Sequence, residues 1–88
     1  MSDKVIEFTI VVNGQAVPVK ASLLDEIGEA VAKALEESGN SGQPLKNWEL
    51  RDGSGQVIDT GKKIGESGID EGTTLFLNLK AGVGGNRA

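Results

Sequence analysis

The chain has 88 residues and a mass of 9.1 kDa, enough for one small domain and too little for a cofactor fold joined to a substrate domain. A composition of 38% apolar and 25% charged residues suits a thin packed core and excludes a wholly disordered protein. Nine Lys and Arg against thirteen Asp and Glu leave a net charge of −4. That charge repels phosphate backbones and anionic headgroups, so no nucleic acid and no membrane is expected as a partner.

Cys and His are both absent, which removes thiol nucleophiles, imidazole bases, disulfides and the usual zinc ligands together. No cofactor and no metal are expected, and side-chain catalysis has little to work with. No apolar stretch nears the ~20 residues of a membrane span, and Met1-Ser2-Asp3-Lys4 lacks the basic-then-apolar build of an export signal. A cytoplasmic protein is expected.

The first element runs from Val5 to Val12, where Ile6, Phe8, Ile10 and Val12 alternate with Val5, Glu7, Thr9 and Val11, the pattern of a half-buried strand. Asn13-Gly14 follows, the dipeptide of a two-residue type I′ hairpin. With that turn, Ile10 faces Val17, Phe8 faces Val19, Ile6 faces Ala21 and Val12 faces Gln15. The opposite side pairs Glu7 with Lys20 and Thr9 with Pro18. Pro18 has no N–H to give a second neighbour, which puts the return strand at the sheet's margin and the first strand inside.

Ser22 precedes Leu24, Ile27, Val31, Ala34 and Leu35 at helical spacing, with Ser22 and Asp25 resembling a capping box. Glu29 and Lys33 stand in the favourable order four apart, and Gly39 ends the helix. Gly28 costs ~1 kcal/mol relative to Ala inside a helix, a cost consistent with close packing on the sheet. After the turn-forming Asn40 to Pro44, Trp48-Glu49-Leu50-Arg51 predicts a third strand. The turn Asp52-Gly53-Ser54-Gly55 leads to a brief fourth at Val57-Ile58. Gly61, Gly65, Gly68 and Gly72 then break regular structure around two anchors, Ile64 and Ile69, with a 3₁₀ turn expected. From Thr73 to Lys80 the last strand points Leu75, Leu77 and Leu79 inward and Phe76, Asn78 and Lys80 outward. Residues 81–88 show no periodicity and are expected to form a tail.

A hairpin, a helix, a third strand with a short fourth and a final strand make ββαββ, an α+β chain whose mixed sheet packs on one helix. In order and spacing the chain resembles ubiquitin and its relatives. The resemblance rests on the hairpin, the Ser22-capped helix, Ile64-Gly65-Glu66-Ser67-Gly68-Ile69, and Thr73 to Lys80 running into Gly84-Gly85. It implies a β-grasp domain over residues 1–80 and a C-terminal tail over 81–88 that carries a diglycine and a removable extension. More narrowly, the chain is similar to the single-domain bacterial ubiquitin-like modifiers of bacterial ubiquitination-like (Bub-type) operons, encoded beside activating, conjugating and peptidase enzymes.

The resemblance implies a non-catalytic protein modifier made as a precursor. A processing peptidase would cut between Gly85 and Asn86. An ATP-dependent activating enzyme and a conjugating enzyme would then join the Gly85 carboxylate to target molecules, with Gly84 and Gly85 threading the enzymes' channels as residues without Cβ. The modifier is expected to be a monomer. Val83 and Ala81 stand where ubiquitin has arginines, so the enzymes should differ from ubiquitin's own. On the exposed sheet face Phe76, Asn78, Lys80 and Arg51 are the expected partner contacts, with Phe76 the one large apolar residue where ubiquitin has an aliphatic patch. A lone exposed apolar side chain without a partner is the other reading of Phe76.

Two rival functions remain. A sulfur carrier shares the fold and forms a C-terminal thiocarboxylate, although such carriers usually end at the second glycine. A binding module would never be conjugated and would work through Phe76 or a sheet edge. Other motifs read as ordinary structure: Lys62-Lys63 lacks the glycine and hydroxyl of a phosphate loop, and Asp52, Ser54 and Asp59 lack the spacing of a calcium loop. Trp48 alternates with Leu50 as core, and the seven lysines are solvated unless one accepts another copy of the chain.

Overall fold

The computed structural model describes residues 4–40, 42 and 44–80. The alternating segments form β1 (Val5–Val12) and β2 (Gln15–Ser22). Between them Asn13 and Gly14 both take left-handed backbone, with φ of 50° and 87°, as a type I′ turn requires. The turn sets the register that the apolar alternation calls for: Ile6 opposite Ala21, Phe8 opposite Val19, Ile10 opposite Val17 and Thr9 opposite Pro18.

The helix α1 spans Ile27–Glu37 and buries Ile27, Ala30, Val31, Ala34 and Leu35. Two further strands, β3 (Trp48–Arg51) and β4 (Thr74–Leu79), complete one sheet of order β2-β1-β4-β3. β1 and β4 run parallel at its centre, and the two hairpin-like outer pairs are antiparallel. This is the expected α+β architecture, a mixed sheet closed on one face by a single helix. That face supplies Phe8, Ile10, Val12, Leu50, Leu75 and Leu77, each at most 1% exposed. Ile64 and Ile69 anchor the glycine-rich segment to the same core, with a 3₁₀ turn at Ile64–Glu66. A second 3₁₀ turn, Leu45–Asn47, precedes β3.

Three details differ from the sequence reading. Ser22 and Asp25 do exchange bonds, Ser22 N–H to Asp25 Oδ2 and Asp25 N–H to Ser22 O, both at 3.0 Å, while Leu24 N–H bonds Ser22 Oγ at 3.1 Å. They close a turn, however, and the helix starts only at Ile27. Its first free donors are met by backbone carbonyls from a distant loop: Ile27 N–H to Lys62 O and Gly28 N–H to Thr60 O, both at 2.9 Å. These carbonyls satisfy groups that a side-chain cap would otherwise have to reach. Leu24, left outside the helix, is 60% exposed, and Leu23 packs on the core in its place.

The expected fourth strand is reduced to a single bridge between Arg51 and Val57, carried by Ile58 N–H to Leu50 O at 2.8 Å. Gly28, finally, packs on Thr60 and Leu45 and not on the sheet; a Cβ there would lie 3.4 Å from Thr60 O and Leu45 Cδ2, an ordinary contact. Gly28→Ala is therefore expected to gain most of the helix-propensity difference, about 0.5–1 kcal/mol, read as a higher urea midpoint at unchanged slope. At its other end the helix closes as its Gly39 implies. Gly39 has φ 78°, and the bonds Gly39 N–H to Glu36 O and Asn40 N–H to Leu35 O form a Schellman motif.

Candidate functional site

Gly84, Gly85 and Asn86 lie outside the described residues, so the site is built here up to its root. β4 carries the chain toward it from the middle of the sheet. On one flank Asn13 N–H bonds Leu77 O at 3.1 Å, and on the other Lys80 N–H bonds Asn47 O at 2.9 Å. The chain therefore reaches Lys80 between the β1–β2 turn and the 3₁₀ turn at Leu45–Asn47. Leu77 is 1% exposed and Leu79 only half-buried, so burial fades over the last turns of the strand before Lys80, which is exposed.

The remaining expected contacts fall on the sheet's outer face and at this end of it. Register places Arg51 across from Phe76 and Glu49 across from Asn78. Phe76 is 38% exposed. Arg51 is not available as a free charge: its guanidinium meets Glu49 Oε1 at 2.9 and 3.2 Å and donates to Gly55 O at 2.6 Å. Lys80 lines a shallow groove of about 240 Å³ with Trp48, Glu49, Val57 and Asp59.

Sequence reasoning put Val11 on the outward side of the first strand but counted neither it nor Ala16 among the partner contacts. Val11 is paired with Ala16 on β2 and with Phe76 on β4, making a row of apolar side chains across three strands that ends at Arg51. The hairpin register already links Ala16 to Val11. The link to Phe76 needs the parallel pairing of β1 and β4, which no local signal encodes.

The residues weighed for other chemistry have structural employment. Asp52 Oδ1 accepts bonds from Ser54 N–H at 2.9 Å, Ser54 Oγ–H at 2.8 Å and Gln56 N–H at 3.0 Å. The Ser54 hydroxyl first, then the Gln56 amide, hold its carboxyl below the usual carboxylate range. Its charge is spent on closing the turn. Asp59 Oδ1 likewise accepts Gly61 N–H at 2.9 Å. Trp48 is core, 5% exposed, and its Nε1–H meets no acceptor among the described residues. No helix among the described residues is long and apolar enough to cross a membrane.

A sheet of order β2-β1-β4-β3 grasping one helix, with first and last strands parallel at its centre, is a ubiquitin-like β-grasp module. In sequence the chain belongs to the family described as Protein of Unknown function (DUF2604), matched over residues 1–85. It is 46% identical over 80 residues to uncharacterized protein y4jI of Sinorhizobium fredii, an alignment that covers 91% of this chain. The chain spans 62% of the length of that curated relative. Among solved structures it is similar to a de novo designed protein based on ubiquitin, with a TM-score of 0.75 and 22% identity over 93% of this chain and 96% of that one.

Proposed function

We propose that the chain is a ubiquitin-like protein modifier, non-catalytic itself, cleaved after Gly85 and conjugated to target molecules through the Gly85 carboxylate. The observation that carries this reading is the way β4 delivers the chain. A central strand of a β-grasp body ends at Leu79, the last buried core residue among the described residues is Leu77, and Gly84-Gly85 follow a short distance on in the sequence. On this reading the diglycine serves the conjugation chemistry. The family match, which runs to Gly85 and stops there, supports the same boundary.

In the proposed sequence a peptidase hydrolyses the Gly85–Asn86 bond, giving a Gly85 carboxylate. ATP adenylates that carboxylate with release of pyrophosphate. An enzyme thiolate displaces AMP to form a thioester, and a nucleophile on the target displaces the thiolate. The modifier supplies only the acyl carbon, which suits a chain without Cys or His. The enzymes are expected to be bacterial and to act in the cytoplasm, and the relative in Sinorhizobium fredii supports a bacterial setting.

Intact-mass spectrometry of the protein expressed with a cognate peptidase and activating enzyme tests this reading. The expected product ends at Gly85, and target adducts carry Gly85 as the linking residue. Persistence of Asn86-Arg87-Ala88 with both enzymes active would overturn it. A product with sulfur in place of a carboxylate oxygen would assign the chain as a sulfur carrier instead.

A further inference from the structure

We infer that the outer edge of β2 is closed against strand addition, so that neither a second copy nor an extended peptide of a partner joins the sheet there. An eight-residue edge strand beside a groove of about 490 Å³ would otherwise be a ready template for a fifth strand in this four-stranded sheet. The groove lies between β2 and α1 and is lined by Pro18, Val19, Lys20, Lys33, Glu36 and Glu7, among others.

Which backbone groups face that edge follows from the register. In a two-residue hairpin the pair next to the turn, Val12 with Gln15, exchanges both bonds, and outward-pointing groups then belong to alternate residues. The inward set continues past the strand as Leu23 N–H to Lys4 O at 2.9 Å, which fixes the outward set as Ala16, Pro18, Lys20 and Ser22. Four of the eight outward backbone positions on these residues are lost to a further strand. Pro18 has no N–H. Lys33, reaching over from α1, donates its Nζ to Lys20 O at 3.5 Å. Ser22 spends both groups on Asp25, its N–H on Oδ2 and its carbonyl on Asp25 N–H, each at 3.0 Å.

Among the described residues Ala16 keeps both groups unengaged, Pro18 its carbonyl and Lys20 its N–H, and the missing Pro18 donor falls between them, so the ladder is interrupted at its middle. The opposite edge is occupied in part. On β3 Trp48 N–H bonds Leu45 O, Leu50 O accepts from Ile58 at 2.8 Å, and Asp52 N–H bonds Gln56 O at 3.0 Å. This inference stands apart from conjugation, since it concerns the body and not the tail.

The test reopens the edge. Pro18→Thr with Lys33→Ala restores the missing donor and frees the Lys20 carbonyl; Thr opposite Thr9 suits the outer face of a strand pair. The protein is followed by sedimentation velocity over a wide concentration range, with amide exchange at Ala16 and Lys20 as the local readout. The native chain should remain monomeric, and its Ala16 and Lys20 amides should exchange at a rate independent of concentration. The double variant should self-associate at least about tenfold more tightly, with those two amides protected as concentration rises. Pro18→Val is measured in parallel in case Pro18→Thr lowers solubility. Folded variants that stay as monomeric as the native chain would overturn the inference, as would protection of the native Ala16 and Lys20 amides on concentration.

Discussion

Leu77→Ala is expected to destabilise the protein by about 2–5 kcal/mol. The side chain is 1% exposed on the central strand β4, between Val12 on the parallel side and Leu50 on the antiparallel side. Removing it opens a cavity at the junction of three strands, where the register holds each backbone and little collapse is possible. Small domains hold only about 5–15 kcal/mol in total, so the loss is a large fraction of what this one has. At roughly 4–8 °C per kcal/mol for a domain of this size, the fall in Tm should be about 10 °C or more. The buried indole of Trp48, opposite Leu79 on the same strand pair, supplies the fluorescence signal. Phe76→Ala is the control: Phe76, next to Leu77 on the same strand, is 38% exposed on the outer face, and its loss should cost under about 1 kcal/mol. Equal destabilisation by the two would mean that the sheet is packed on both faces.

That contrast between adjacent residues was legible in the sequence, because period-two alternation assigns Leu77 and Phe76 to opposite faces before any tertiary contact is known. The hairpin was legible for a stronger reason. Asn13-Gly14 and the apolar alternation independently demand the same register, and a slip of one residue would turn Ile6, Phe8 and Ile10 out to solvent. The helix end was legible through Gly39, whose left-handed φ is a local property. The helix start was not, since its donors are met by Thr60 and Lys62, residues that no local pattern ties to Ile27. Val57-Ile58 misled for a similar reason. Two apolar residues satisfy a strand pattern trivially, and only Ile58 turns out to be engaged while Val57 is 52% exposed. Arg51 was read only as sharing the outer face with Phe76; its register opposite Phe76 needs the β3–β4 pairing, and its capture by Glu49 and Gly55 O depends on the geometry of the 52–55 turn.

The functional proposal makes its largest expected effect at Gly85. In a chain ending at residue 85, Gly85→Ala should lower conjugate yield by roughly a hundredfold or more, while leaving the unfolding midpoint unchanged. The reacting carbonyl must be approached inside a narrow channel, and a methyl on the adjacent Cα both crowds the trajectory and removes the positive-φ conformers open to glycine; displacements near 1 Å from the productive geometry cost on the order of a hundredfold. The unchanged midpoint follows from the core, which among the described residues runs from Ile6 to Leu77. Using the truncated chain keeps peptidase action out of the measurement, so a loss reports acyl activation or transfer alone. Thioester formation on the activating enzyme, followed by transfer to target, separates those two steps. Phe76→Ala in the same truncated chain asks a different question, whether the enzymes also read the apolar row of Ala16, Val11 and Phe76. A loss there with thioester formation intact would assign that row to the later partner, whereas full activity of Gly85→Ala at both steps would remove the diglycine from the chemistry altogether and leave the outer face as the functional surface of the module.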